Sequence, residues 1–300
     1  MVKMVLSSFL ITSRETLEAA LVVGIVLAYL NRTNNEQYKK TVYYGIFAGI
    51  VLSIFSAFLF NIFAGGFEGR AEEMFEGFTM LFAAVLLTTM ILWMMKQRKI
   101  AQQIEDKVAA HIQKAKFNQT YAYGLFALVV VAVLREGVET VIFFSALNYA
   151  AGISFIGATL GVITAIAIGY LFFASTRKIN LKKFFSISSI FLILIAAGLV
   201  AHGIHELEEA KLLNPIIEHV WDINPAAPLA AQGVYPLMHE KGDIGSFFVG
   251  LFGYNGNPSL LEVLFYVSYL IGIFYLYWKI GSTGSVKTAK NRVWDKKTSS

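Results

Sequence analysis

The sequence predicts an all-α, polytopic membrane protein with seven transmembrane helices, and three observations lead there. First, the 300 residues are 56% hydrophobic and only 15% charged, far from the roughly 45–50% and about 25% of a soluble domain. Second, apolar runs near the length a bilayer needs, about 20 residues, recur along the chain. Third, the loops between them alternate between basic and acidic. Cysteine is absent, which removes disulfides, thiolate metal sites and cysteine nucleophiles together. The net charge of +5 sits in alternate loops and is not a nucleic-acid signature.

The expected spans cover about 5–30, 41–64, 75–95, 120–148, 154–175, 184–204 and 260–279. The first span carries Arg14, Glu15 and Glu18 and has no clear small-residue cleavage site, so it reads as a helix and not as a signal peptide. The segment 97–116 reads as a charged cytoplasmic helix. SFFVGLFG at 246–253 is too short to cross and is expected to be interfacial or re-entrant. The spans form one transmembrane domain over 1–280, followed by a cytoplasmic basic tail at 281–300.

Charge fixes the expected orientation. Arg32, Lys39 and Lys40 follow the first span, six bases lie in 96–118, and Arg177, Lys178, Lys182 and Lys183 follow the fifth. The alternate loops are acidic: Glu68, Glu72, Glu73 and Glu76 stand against Arg70, and 202–262 holds eight acids against Lys211 and Lys241. Basic loops stay cytoplasmic, which places the N-terminus outside and the C-terminus inside.

One pattern occurs twice in the middle of an apolar run. Arg14-Glu15-Thr16-Leu17-Glu18 lies in the first span and Arg135-Glu136-Gly137-Val138-Glu139 in the fourth. Ionised groups at that depth are costly, rare and usually functional. The first and fourth spans cross in opposite directions. Spans 1–3 (about 5–95) and 4–6 (about 120–204) therefore read as an inverted repeat with the seventh added, an arrangement that puts transporter sites near the midplane. MFEGFTMLF at 74–82 is weakly similar to KFFSISSIF at 183–191.

Helical spacing projects Glu15 with Glu18, and Glu136 with Glu139, on one face each. Arg14 reaches Glu18 and Arg135 reaches Glu139 at i+4. A purely structural ion pair would explain one glutamate per motif and leave the other uncompensated in lipid. Four opposed carboxylates suit a hard cation such as Fe3+, manganese, magnesium or calcium, and do not suit Cu(I).

The paired motifs in a seven-helix chain resemble the oxidase-dependent iron transporters, a family of fungal iron permeases and bacterial iron-uptake permeases. HGIHELEEA at 202–210 and LFGYNGNPSLLEVL at 251–264 are also similar to bacterial members. The resemblance implies import of iron across the cytoplasmic membrane, with Glu15, Glu18, Glu136 and Glu139 binding it. Iron is then the transported substrate and not a resident cofactor. It further implies a separate extracytoplasmic partner that oxidises ferrous iron and hands over Fe3+. The residues themselves leave another metal, such as lead or manganese, open. A proton channel on the same carboxylates also stays open. A membrane di-iron enzyme would show Glu-x-x-His pairs, which the chain lacks, and HELEE breaks a zinc-peptidase motif at its second histidine.

A second set of candidate residues lies on the acidic side. His202, His205, Glu206 and Glu209 share one helical face, and Glu72, Glu73 and Glu76 open the third span. Together they make an acidic entry that concentrates cations, or a solvated helix end. Ser259 and Glu262 match a capping box at the start of the seventh span, and capping is favoured over metal binding at Glu262 because it accounts for both residues.

Overall fold

A computed structural model describes residues 2–96, 100–115, 122–174, 181–223, 235–239, 242–276 and 279. The basic tail at 281–300 lies outside these. Among the described residues the chain is helical and contains no strand. Helices α1 (Val2–Arg32), α2 (Lys39–Ala64) and α3 (Arg70–Lys96) are followed by α4 (Ile100–Ala115). Then come α5 (Ala122–Ala150), α6 (Phe155–Ala174), α7 (Leu181–Glu209), α8 (Asp243–Phe252) and α9 (Leu260–Leu276).

Four segments are long and apolar enough to cross a membrane by length and composition: Glu36–Ala64, Arg70–Met94, Phe155–Phe173 and Lys183–Glu209. Helices α1 and α5, at 31 and 29 residues, also exceed the roughly 20 a bilayer needs, but carry the motif charges in their middles. The helices run past several expected ends. Helix α3 starts at Arg70 and so takes Glu72 and Glu73 into its first turn. Helix α7 continues to Glu209 and holds the His202–Glu209 face in regular helix.

Local signals explain the stops. Helix α5 ends where Gly152 adopts a left-handed φ of 82° and its N–H donates back to the Leu147 carbonyl. Only glycine takes that turn without a side-chain penalty. Helix α9 starts at the expected capping box: the Glu262 N–H donates to Ser259 Oγ at 3.1 Å and the Ser259 N–H donates to Glu262 Oε1 at 2.9 Å.

Two apolar cores lie at opposite ends of the bundle. One joins Ile11 near the start of α1 to Phe143 and Leu147 near the end of α5, with Met80, Leu87 and Leu192. The other joins Val26 and Leu30 near the end of α1 to Leu125 and Val129 near the start of α5. Helices α1 and α5 are therefore antiparallel, and both motifs fall in the layer between the cores. Helix α4 closes the second core: Val108 inserts beside Leu30, and Arg32 pairs with Glu105 at 2.9 Å.

The closest helix pairs are α1 with α6, α2 with α5, and α3 with α7. The first two pairs are parallel and use the same device. On α2, a Cβ at Gly45 would stand 3.2 Å from the Phe126 carbonyl oxygen, and one at Gly49 3.3 Å from that of Val130. On α6, a Cβ at Gly157 would overlap the Val5 carbonyl, and one at Gly161 would stand 2.7 Å from the Phe9 oxygen. Small residues four apart let membrane helices approach this closely. Phe126 and Val130 precede Arg135 by the same sequence distances as Val5 and Phe9 precede Arg14.

Candidate metal centre

The motif side chains meet where α1 passes α5. Carboxylate oxygens of Glu15, Glu136 and Glu139 lie within 4.8 Å of one another. Both Glu15 oxygens and Glu136 Oε2 are shielded from solvent and accept no hydrogen bond among the described residues. Burying carboxylates without donors is costly.

The arginines take the partners that helical spacing predicts. Arg14 Nε donates to Glu18 Oε1 at 3.0 Å and Arg135 Nε to Glu139 Oε1 at 2.9 Å. Their surroundings differ. The Arg14 side chain is fully buried, and its Nη2 donates to the Met94 sulfur at 3.2 Å. Arg135 is half-exposed, stands 3.9 Å from Glu136, and lies over the Trp93 ring at 5.8 Å. Met94 and Trp93 end the apolar stretch of α3 and carry no motif, so nothing in the sequence singles them out. Glu18 is drawn toward Arg14 and stands outside the three-carboxylate cluster. Of the expected group of four, Glu15, Glu136 and Glu139 converge, while Glu18 and Glu139 are each held by an arginine.

At the end of the bundle away from α4, the acidic candidates separate into two groups. A tight crossing of α3 over α7 brings Glu76 toward Glu206: a Cβ on Gly77 would stand 2.9 Å from the Gly203 carbonyl oxygen. Glu206 experiences the charges of Glu76, Glu209 and Glu73. Glu72 is exposed on the first turn of α3, and His202 is half-buried on α7. His205 turns the other way, with Nδ1 at 3.1 Å from Glu262 Oε1 and Nε2 at 3.3 Å from Glu209 Oε1. His205, Glu208 and Glu262 also offer ligand atoms within 4.8 Å of one another. Sequence reasoning misses Glu208 and, for Glu262, weighs metal binding but favours the cap. The long-range pairing of Glu262 with His205 leaves no local sequence signal.

The sequence model of the iron permease FTR1 family matches residues 5–285. The chain is 34% identical over 273 residues to the ferrous iron permease EfeU of Yersinia pestis, covering 90% of this chain and 92% of that protein. It is 34% identical over 283 residues to the ferrous iron permease EfeU of Escherichia coli O6:K15:H31, covering 92% and 98%. The same identity extends over 266 residues of the Shigella sonnei ferrous iron permease EfeU, covering 88% and 91%. No solved structure matches the chain. With two charged motifs converging between apolar helices and a family match over nearly its whole length, this chain belongs to the iron permease FTR1 family and is a multi-pass protein of the cell membrane.

Proposed function

We propose that the chain imports iron through a midplane site formed by Glu15, Glu136 and Glu139, with Glu18 joining as the cation arrives. The convergence of three carboxylates with unsatisfied oxygens carries this reading. A multivalent cation entering the layer between the two cores sheds hydration water, and carboxylate oxygens replace it. Arg14 and Arg135 keep the net charge of the unloaded site tolerable in lipid, each by holding one glutamate. Release of Glu18 from Arg14 supplies a fourth carboxylate.

The architecture in this reading is seven spans, α1–α3, α5–α7 and α9, with α1–α3 and α5–α7 as inverted repeats and the N-terminus outside. The antiparallel course of α1 and α5 supports it, as do the parallel α1–α6 and α2–α5 pairs with their glycine pairs in matching register. Each repeat lends its second helix to the motif helix of the other. The basic loops give the orientation.

The oxygen-only donor set favours Fe3+, delivered by a separate extracytoplasmic iron-oxidising protein. The relatives' name, ferrous iron permease, favours a second reading in which Fe2+ itself enters the site. Uptake of radioactive iron by proteoliposomes containing the purified chain separates them. Fe3+ citrate should be taken up faster than Fe2+ held under ascorbate; uptake of Fe2+ alone would establish the second reading. Transport of Mn2+ or Pb2+ in preference to both would refute iron as the substrate.

A further inference from the structure

We infer that His205, Glu208 and Glu262 form a second metal site that takes a divalent cation such as Fe2+ or Mn2+ at the end of the bundle away from α4. Their ligand atoms lie within 4.8 Å of one another. His205 and Glu208 are one helical turn apart on α7 and share a face, while Glu262 comes from the first turn of α9. Two donors about 2.1 Å from a metal and at right angles to each other are about 3.0 Å apart. His205 Nδ1 and Glu262 Oε1, at 3.1 Å, already have the spacing of one edge of a coordination polyhedron.

The shell around these three groups is built as metal sites require. Glu209 Oε1 lies 3.3 Å from His205 Nε2, the carboxylate–histidine arrangement that fixes a ligand imidazole with its other nitrogen toward the metal. Asn255 Nδ2 donates to Glu262 Oε2 at 2.9 Å, and the Ser259 N–H donates to Glu262 Oε1. Glu262 is 1% exposed and held from both sides. Glu208 Oε1 is shielded from solvent and accepts no hydrogen bond among the described residues. A doubly protonated imidazole would satisfy Glu209 and Glu262 as an ion-paired tie between α7 and α9. It would leave Glu208 Oε1 without a donor, whereas a cation on Nδ1 engages all three groups.

The donor chemistry sets this site apart from the midplane. One imidazole nitrogen with two carboxylates suits Fe2+, Mn2+ or Zn2+, and three protein ligands leave positions open for water and release. Placing this site on the outer face rests on the orientation proposed above; its capacity to bind metal does not.

The test uses the full chain in detergent carrying Glu15→Ala and Glu136→Ala, which removes the midplane site, with Mn2+ as the probe. Pulsed EPR of bound Mn2+ should show nitrogen coupling from one imidazole, and His205→Ala should abolish it. Glu208→Gln keeps both partners of the His205–Glu262 pair and should weaken Mn2+ binding on the order of tenfold or more. Absence of nitrogen coupling in the parent, its persistence in His205→Ala, or unchanged affinity in Glu208→Gln would each overturn the proposal. If His205→Ala does not fold, the Glu208→Gln affinity decides. Whether iron is transported through the midplane has no bearing on any of these readings.

Discussion

The Glu15 carboxylate on α1 meets the Glu136 carboxylate on α5 within 4.8 Å, across two helices that run in opposite directions. No hydrogen-bond donor among the described residues reaches either oxygen of Glu15. Arg135 stands 3.9 Å from Glu136, but no arginine hydrogen-bonds to Glu15; in the reading proposed above an arriving cation supplies the missing positive charge.

The two arginines differ in burial, so their removal should differ in cost. Arg14→Ala strands the Glu18 carboxylate in a buried layer, where breaking an ion pair costs about 3–5 kcal/mol. Arg135 is half-exposed and Glu139 is less enclosed than Glu18, so its loss should cost less. Thermal melting of the purified variants in detergent checks this: Arg14→Ala should be the less stable by a wide margin. Equal melting temperatures would mean that the two motifs are solvated alike.

Helix approach should fail where the glycines permit it. Gly49→Val and Gly161→Val push side chains into Val133 and the Phe9 carbonyl, an overpacking worth about 1–3 kcal/mol each. Gly272 on α9 has open space where a methyl group would sit, with nothing within 4 Å, so Gly272→Ala should be neutral or stabilising by up to about 1 kcal/mol. Melting temperatures that fall for Gly272→Ala and not for the other two would contradict the packing described.

Much of this is legible in the sequence. The motif pairs, Arg14 with Glu18 and Arg135 with Glu139, follow from helical spacing alone, because i and i+4 are neighbours on any helix. The capping box at Ser259 and Glu262 is equally local. What the sequence conceals is long-range. The sulfur that Arg14 also contacts belongs to Met94, on a different helix. His205 has acidic neighbours along α7 at both i+1 and i+4, so spacing places it with Glu206 and Glu209. Its choice of Glu262 depends on where α9 docks.

Orientation can be read with single cysteines, since the native chain has none. A cysteine at Gly66, between α2 and α3, should react with an impermeant thiol reagent in intact cells. A cysteine at Asn34, between α1 and α2, should react only after the membrane is opened. The reverse pattern would invert the proposed topology.

Electrostatic collection at the acidic end predicts a particular kinetic signature. Glu206 lies within reach of the Glu76 charge, and a collecting field would raise local cation concentration without changing the site itself. Glu206→Gln should therefore raise the half-saturating iron concentration several-fold at low salt and leave maximal uptake nearly unchanged. The difference from the unsubstituted protein should shrink as ionic strength rises. A lowered maximal rate with unchanged half-saturation would instead place Glu206 within the transport step.

The most direct test of the midplane site is iron uptake by Glu15→Ala and Glu136→Ala, each normalised to its abundance in the membrane. Both glutamates lie in the three-carboxylate cluster, and neither is the main partner of an arginine, so removing either should leave the protein folded. Uptake is predicted to fall to the background of cells lacking the protein, with abundance near normal. Normal uptake by both variants at normal abundance would contradict the midplane site and leave the two motifs as ties between helices.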